Sequence, residues 1–257
     1  FIPTFVHESG KVSVRVTNQL AGKYPVRYTL NGTSPTAASP VYTSPLLLET
    51  STSVTTAVFD RTGKKLGKQN RQVFTFNKAT GKGISVSYAT PGVTAASNSL
   101  GSSTLGAYDT TATAEVAPIT EDAPPPRQLA DGIFGTIEPY DGRWQFYSDS
   151  IITVTIDLGK PTSMDSLKFR CLEDQVGLSY LPGSYSVLVG DDGVNFKQFQ
   201  TGTNNKVPEQ ALRHIKQFNI PMKKTTARYV RLILNRAAAL PSATAKPTMF
   251  IDEIEIF

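Results

Sequence analysis

With 257 residues, 39% of them hydrophobic and 18% charged, the chain is long enough for one or two domains with buried cores. No apolar run approaches the roughly 18 residues of a membrane-spanning helix, so no membrane insertion is expected. The net charge is +5, but the basic residues are dispersed and do not interleave regularly with aromatics, which argues against nucleic acid as a partner.

The chain opens on Phe1 in polar, strand-like sequence and reads as a processed piece of something longer, so the missing signal peptide says nothing about export. In the first unit, Val12, Val14 and Val16 alternate with Lys11, Ser13, Arg15 and Thr17, the period of a half-buried strand. Val26, Tyr28 and Leu30 form a second alternating strand that ends at the turn pair Asn31-Gly32. Val54–Phe59 and Gln72–Phe76 supply two more. Such spacing, broken by Gly, Pro, Asn and Ser, predicts a small β-sandwich over residues 11–76. The local basic excess of Arg61, Lys64, Lys65, Lys68 and Arg71 surrounds Gly63 and Gly67 and reads as a solvated turn between strands.

Strand patterning stops over residues 77–83 and restarts at Ile84, which places a boundary between units 1–80 and 83–257. Ile84–Tyr88 reads as the first strand of the second unit. Residues 90–128, rich in Thr, Ala, Ser, Gly and Pro, read as an elaborated surface loop, with an interdomain linker as the alternative. Ile152, Val154, Ile156 and Leu158 alternate with Thr153, Thr155 and Asp157. Tyr185–Val189 and Asn195-Phe196 flank the hairpin turn Gly190-Asp191-Asp192-Gly193. Pro208–Lys216 has the composition for two helical turns. Val230, Leu232 and Leu234 face one way. Ile254 and Ile256 alternate with Glu253 and Glu255 to the C-terminus, which places Asp252 and Glu253 on opposite faces of one strand. The fold class is therefore all-β.

Two stretches carry a resemblance. Arg27-Tyr28-Thr29-Leu30-Asn31-Gly32-Thr33-Ser34-Pro35-Thr36, followed by Ser39, Val41-Tyr42-Thr43 and Pro45-Leu46, resembles the immunoglobulin-like module near the C-terminus of chitobiases and β-hexosaminidases. Asp131-Gly132-Ile133, Ile156-Asp157-Leu158-Gly159, Asp191-Asp192-Gly193, Ala227–Leu232 and Asp252–Phe257 occur in the order of the discoidin, or coagulation-factor type C, domain. That second likeness implies a galactose-binding-like jelly-roll sandwich that holds ligands at its loops. It also implies one structural Ca²⁺ on Leu129, Ala130, Asp131, Thr136 and Glu253, oxygen donors of the kind that suit a hard cation.

For a sugar surface, the resemblance points to aromatic and basic loop residues: Tyr140, Arg143, Phe146, Tyr147, Tyr180, Asn235 and Arg236. Trp144 matches a recurrent position and is expected in the core. The loop 240–249 lacks the Trp or His that related modules carry there.

Catalysis is not expected. Asp252-Glu253 imitates the acid pair of β-hexosaminidases, yet no Gly-Gly precedes it and no barrel surrounds it. His7 and His214 are isolated. The lone Cys171 excludes an internal disulfide or a cysteine zinc site, and its apolar neighbours mark it as a core residue.

The expected function is that of a non-catalytic accessory region of an exported bacterial glycan-degrading protein of chitobiase type. It would be secreted, periplasmic or on the cell surface. The second unit would hold a glycan containing N-acetylhexosamine or galactose, and the first would act as a spacer toward the parent's catalytic domain. Two alternatives stand beside this: a purely structural region stabilising that catalytic domain, and a surface adhesin for host glycan or protein.

Overall fold

The computed structural model describes residues 2–6, 10–16, 23–89, 126–148, 151–204, 212–237 and 248–257. The loop expected over 90–128 lies outside the described residues except for a 3₁₀ turn at Pro126–Ala130. Among the described residues no helix is long and apolar enough to cross a membrane. The structure is all-β, as the alternation predicts.

The N-terminal unit consists of two three-stranded sheets. One pairs β1 (Ile2–Val6), β2 (Lys11–Arg15) and β4 (Leu46–Leu48) in that order. The other pairs β3 (Val26–Thr29), β5 (Thr52–Phe59) and β6 (Lys65–Phe74). Val12, Val14, Leu48, Val54 and Phe74 form its core. Tyr42 ties the two sheets at an edge: its hydroxyl accepts the Val16 N–H at 3.1 Å, and its own N–H donates to Val26 O at 2.7 Å. The basic hairpin is a solvated turn. Asp60 accepts the backbone N–H groups of Thr62 and Lys64, both at 2.9 Å, and Lys64, Lys65 and Lys68 are exposed.

The C-terminal unit is one seven-stranded sheet. It contains β7 (Gly83–Ala89), β8 (Gln145–Tyr147), β9 (Ile151–Glu173), β10 (Pro182–Gly190), β11 (Lys197–Thr203), β12 (His214–Arg236) and β13 (Met249–Ile256). Its spine is the antiparallel ribbon of β9 and β12, which run together from Ile151–Asn235 to Glu173–His214. The register shifts at 221–228, beside Gly159 and the positive-φ residues Lys223 and Lys224. There the ribbon turns from one layer into the other. Ile152, Val154 and Ile156 of its first half pack in one core with Leu167, Phe169 and Cys171 of its second. Asp157 and Arg228, from two of the discoidin-like motifs, close this corner with two hydrogen bonds of 2.8 Å. Lys216, expected at the end of a helical segment, lies in β12; Pro208–Ala211 fall outside the described residues.

Residues 77–82, between β6 and β7, form the joint between the units and are tied into the C-terminal one. Lys78 N–H donates to Ile256 O at 2.8 Å, Ile256 N–H donates to Asn77 Oδ1 at 3.1 Å, and Gly81 N–H donates to Ala130 O at 2.9 Å. Ile133 crosses the boundary. It follows Asp131 in the C-terminal unit, but its side chain is buried in the N-terminal core beside Val12, Val14, Leu48, Val54 and Phe74. Strand registers place this joint at the corner end of the ribbon, while residues 174–181 connect β9 to β10 at the opposite end.

Candidate functional site

The last strand carries two carboxylates that local alternation would send to opposite faces. In the structure both meet the same loop, because β13 bulges between Ile251 and Ile254. Glu253 Oε1 accepts the Gly132 N–H at 3.0 Å, and Asp252 Oδ2 accepts the Gly135 N–H at 2.8 Å. Asp131 Oδ1 accepts the N–H of Ile133 at 2.8 Å, so the 131–135 loop is strung between three buried acids.

Two glycines allow this close packing. Gly132 has φ of 77°, and a Cβ there would lie 2.6 Å from Thr75 O. A Cβ on Gly135 would lie 2.5 Å from the Trp144 ring. Trp144 is buried, as expected, and its indole N–H donates to Thr136 O at 2.9 Å. Arg170, on the outer side of β9, pairs with Asp252 at 3.1 Å and donates to Gly135 O at 3.1 Å. Its guanidinium lies 4.7 Å from the Phe134 ring and 5.9 Å from that of Trp144.

Removal from water raises the pKa of all three acids. Burial pushes Asp252 up to about 7, against the opposing pull of Arg170. Burial dominates for Glu253 and Asp131 too, and each is raised further by a neighbouring acid, Glu253 chiefly by Asp131. Glu253 Oε2 is fully buried without a hydrogen-bond partner. An orphaned carboxylate oxygen beside a second buried acid is the environment that a bound cation relieves, so Asp131 and Glu253 fit a hard divalent ion.

The other expected ligands are placed differently. Thr136 is exposed, and its hydroxyl donates to Asp141 at 2.8 Å, while its carbonyl accepts Trp144. The carbonyl of Ala130 accepts Gly81 N–H, and Leu129 is core. Among the described residues no group of three or more His, Cys, Asp or Glu is arranged to hold a metal.

The residues expected to face sugar divide into two groups. Tyr140 is 90% exposed and Phe146 is 66% exposed, with the Phe146 ring 5.9 Å from the Phe250 ring beneath it. Arg143 lies near Asp131, whose charge it favours, and its backbone N–H donates to Asp141 at 2.9 Å. Asn235 donates to Ser184 Oγ at 2.8 Å and Arg236 to Ser148 O at 2.7 Å, near the end of β8.

Tyr147 and Tyr180 depart from the expectation, since both are buried. Tyr147 alternates with Phe146 along β8 and so points into the core, and Tyr180 is held where its N–H donates to Thr248 O at 2.9 Å.

Sequence reasoning missed Phe134 and Arg170, and it missed a polar rim beyond β9. There Arg213 donates to Asp174 at 2.8 Å, and Gln175 donates to Glu173 Oε1 at 3.0 Å. Nothing local announces Phe134, Arg170 or Arg213, because their partners lie tens of residues away; the alternation of β9 could only have placed Arg170 outward with Lys168.

No curated protein matches the chain. Residues 6–68 match the family model of the chitobiase/beta-hexosaminidase C-terminal domain, and residues 110–246 match that of the F5/8 type C domain. Neither model describes a catalytic domain.

Among solved structures, one described as CpGH89CBM32-6 produced by Clostridium perfringens is 20% identical. The match covers 46% of this chain and 79% of that one, with a TM-score of 0.32. Chitosan-binding module 1 from a chitosanase/glucanase of Paenibacillus sp. IK-5 is 15% identical over 70% of this chain and 98% of that one, with a TM-score of 0.40. SpGH29 is 14% identical over 70% of this chain, with a TM-score of 0.39, and the match spans only 27% of its length. The match over 110–246, more than half of the 257 residues, makes the chain a member of the F5/8 type C domain family, preceded by a chitobiase/beta-hexosaminidase C-terminal domain.

Proposed function

We propose that this chain is a non-catalytic accessory region that holds a glycan through its C-terminal unit. The N-terminal unit, divided from it within 77–82, would act as a spacer. The observation that carries the reading is the exposure of the Tyr140 and Phe146 rings on an F5/8 type C domain. An exposed ring can cover the apolar face of a pyranose, and nearby Arg143 and Arg236 are suited to donate hydrogen bonds to its hydroxyls.

The parent is an exported bacterial glycan-degrading protein, and tethering it to its substrate would raise the local substrate concentration. The preceding chitobiase-type domain supports that reading. Within the same proposal, Asp131 and Glu253 hold one structural Ca²⁺, which would neutralise the orphaned Glu253 oxygen and fix the 131–135 loop.

A glycan array probed with the whole chain tests the reading. Retention of hexosamine- or galactose-containing glycans, lost in the Tyr140→Ala/Phe146→Ala double variant, is expected. An array without a hit, or one unchanged in the variant, rejects it.

A further inference from the structure

The joint between the units also borders an open surface depression of about 610 Å³. Its walls come from both units and from the joint, and they include Glu49, Phe76, Lys78, Lys82, Lys160 and Phe257.

Among the side chains that line it, cations outnumber acids. Three lysines face the space, and Glu49, the acid among these six, is taken by Lys11 at 2.5 Å. Lys78 Nζ donates to Ser163 O at 2.9 Å, which fixes its stem and leaves further N–H groups for a ligand. A fourth cation, Lys168, lies 4.5 Å from the Phe257 ring centre, where it also faces Glu255 across the β9–β13 pairing. The walls are held in place by the Lys78–Ile256 and Ile256–Asn77 hydrogen bonds and by Ile133 in the N-terminal core, so the depression stands formed before any ligand arrives.

We propose that this depression is a second binding site, for an anionic saccharide bearing carboxylate or sulfate groups. Lys78, Lys82 and Lys160 receive the charged groups, and the Phe76 and Phe257 rings back the sugar. The choice of a saccharide over other small anions rests on the glycan-binding reading. The depression itself does not, since it shares no residue with the Tyr140 and Phe146 surface.

Calorimetric titration of the whole chain at low salt tests the proposal. The probes are a galacturonate tetramer, a chondroitin sulfate tetrasaccharide and neutral cellotetraose. At least one anionic probe is expected to bind, to weaken as salt is raised, and to lose at least tenfold in affinity in the Lys78→Gln/Lys82→Gln/Lys160→Gln variant with its melting temperature unchanged. The two anionic arms separate carboxylate from sulfate.

Binding should survive Phe146→Ala, so failure of the neutral-glycan surface leaves this site standing. The proposal is overturned by any of four results: no anionic binding, equal binding of cellotetraose, full displacement by inorganic sulfate at equal concentration, or undiminished affinity in the triple-lysine variant.

Discussion

Replacing Ile133 by alanine is expected to loosen the N-terminal sandwich, although the residue belongs to a loop of the C-terminal one. Ile133 is 6% exposed and completes the core of Val12, Val14, Leu48, Val54 and Phe74. Truncation removes three carbons, or about 2.4 kcal/mol at about 0.8 per buried methylene. The cavity left behind places the total loss in the range of about 2–5 kcal/mol. Denaturant unfolding measures the loss, and amide hydrogen exchange locates it, with faster exchange expected in Lys11–Arg15 and Thr52–Phe59. A loss below about 0.5 kcal/mol, the level of an ordinary surface site, with exchange in those strands unchanged, would refute the reasoning. By the same logic, residues 1–80 alone should fold with reduced stability and 83–257 should fold unaided. If both segments are unfolded, the proposed division is wrong.

Chelation should lower the melting temperature of the whole chain, and Glu253→Ala should abolish that response; a melting curve indifferent to both chelator and added calcium counts against the cation reading. Asp157 is held below the usual carboxylate range by its hydrogen bonds to Arg228, so its stabilising contribution is present above about pH 4 and is lost as pH falls through the depressed value. Stability measured from pH 7 to pH 2 should therefore decline less steeply in Arg228→Ala, and an identical acid limb would disprove the coupling. No nitrophenol should be released from an aryl N-acetylglucosaminide, and release that disappears in Glu253→Gln would overturn the non-catalytic reading.

The strands were legible because period-two alternation is a local property: Ile152, Val154 and Ile156 face the core as their spacing predicts. The same rule, applied fully, separates Phe146 from Tyr147, since adjacent residues of a strand cannot share a face; only Phe146 is exposed. Asp252 and Glu253 show where alternation fails. A bulge turns both toward one loop more than a hundred residues upstream, and no pattern within β13 marks it. Ile133 was invisible for a related reason: its partners lie in another unit, and hydrophobicity alone does not say which core a side chain joins.

The most direct test of the central claim is a nuclear magnetic resonance titration of the whole chain with the best glycan from the array. The account predicts saturable shifts at Tyr140, Arg143 and Phe146, with the buried Tyr147 and Tyr180 moving little. Shifts confined to other surfaces, or none with any glycan, would contradict it.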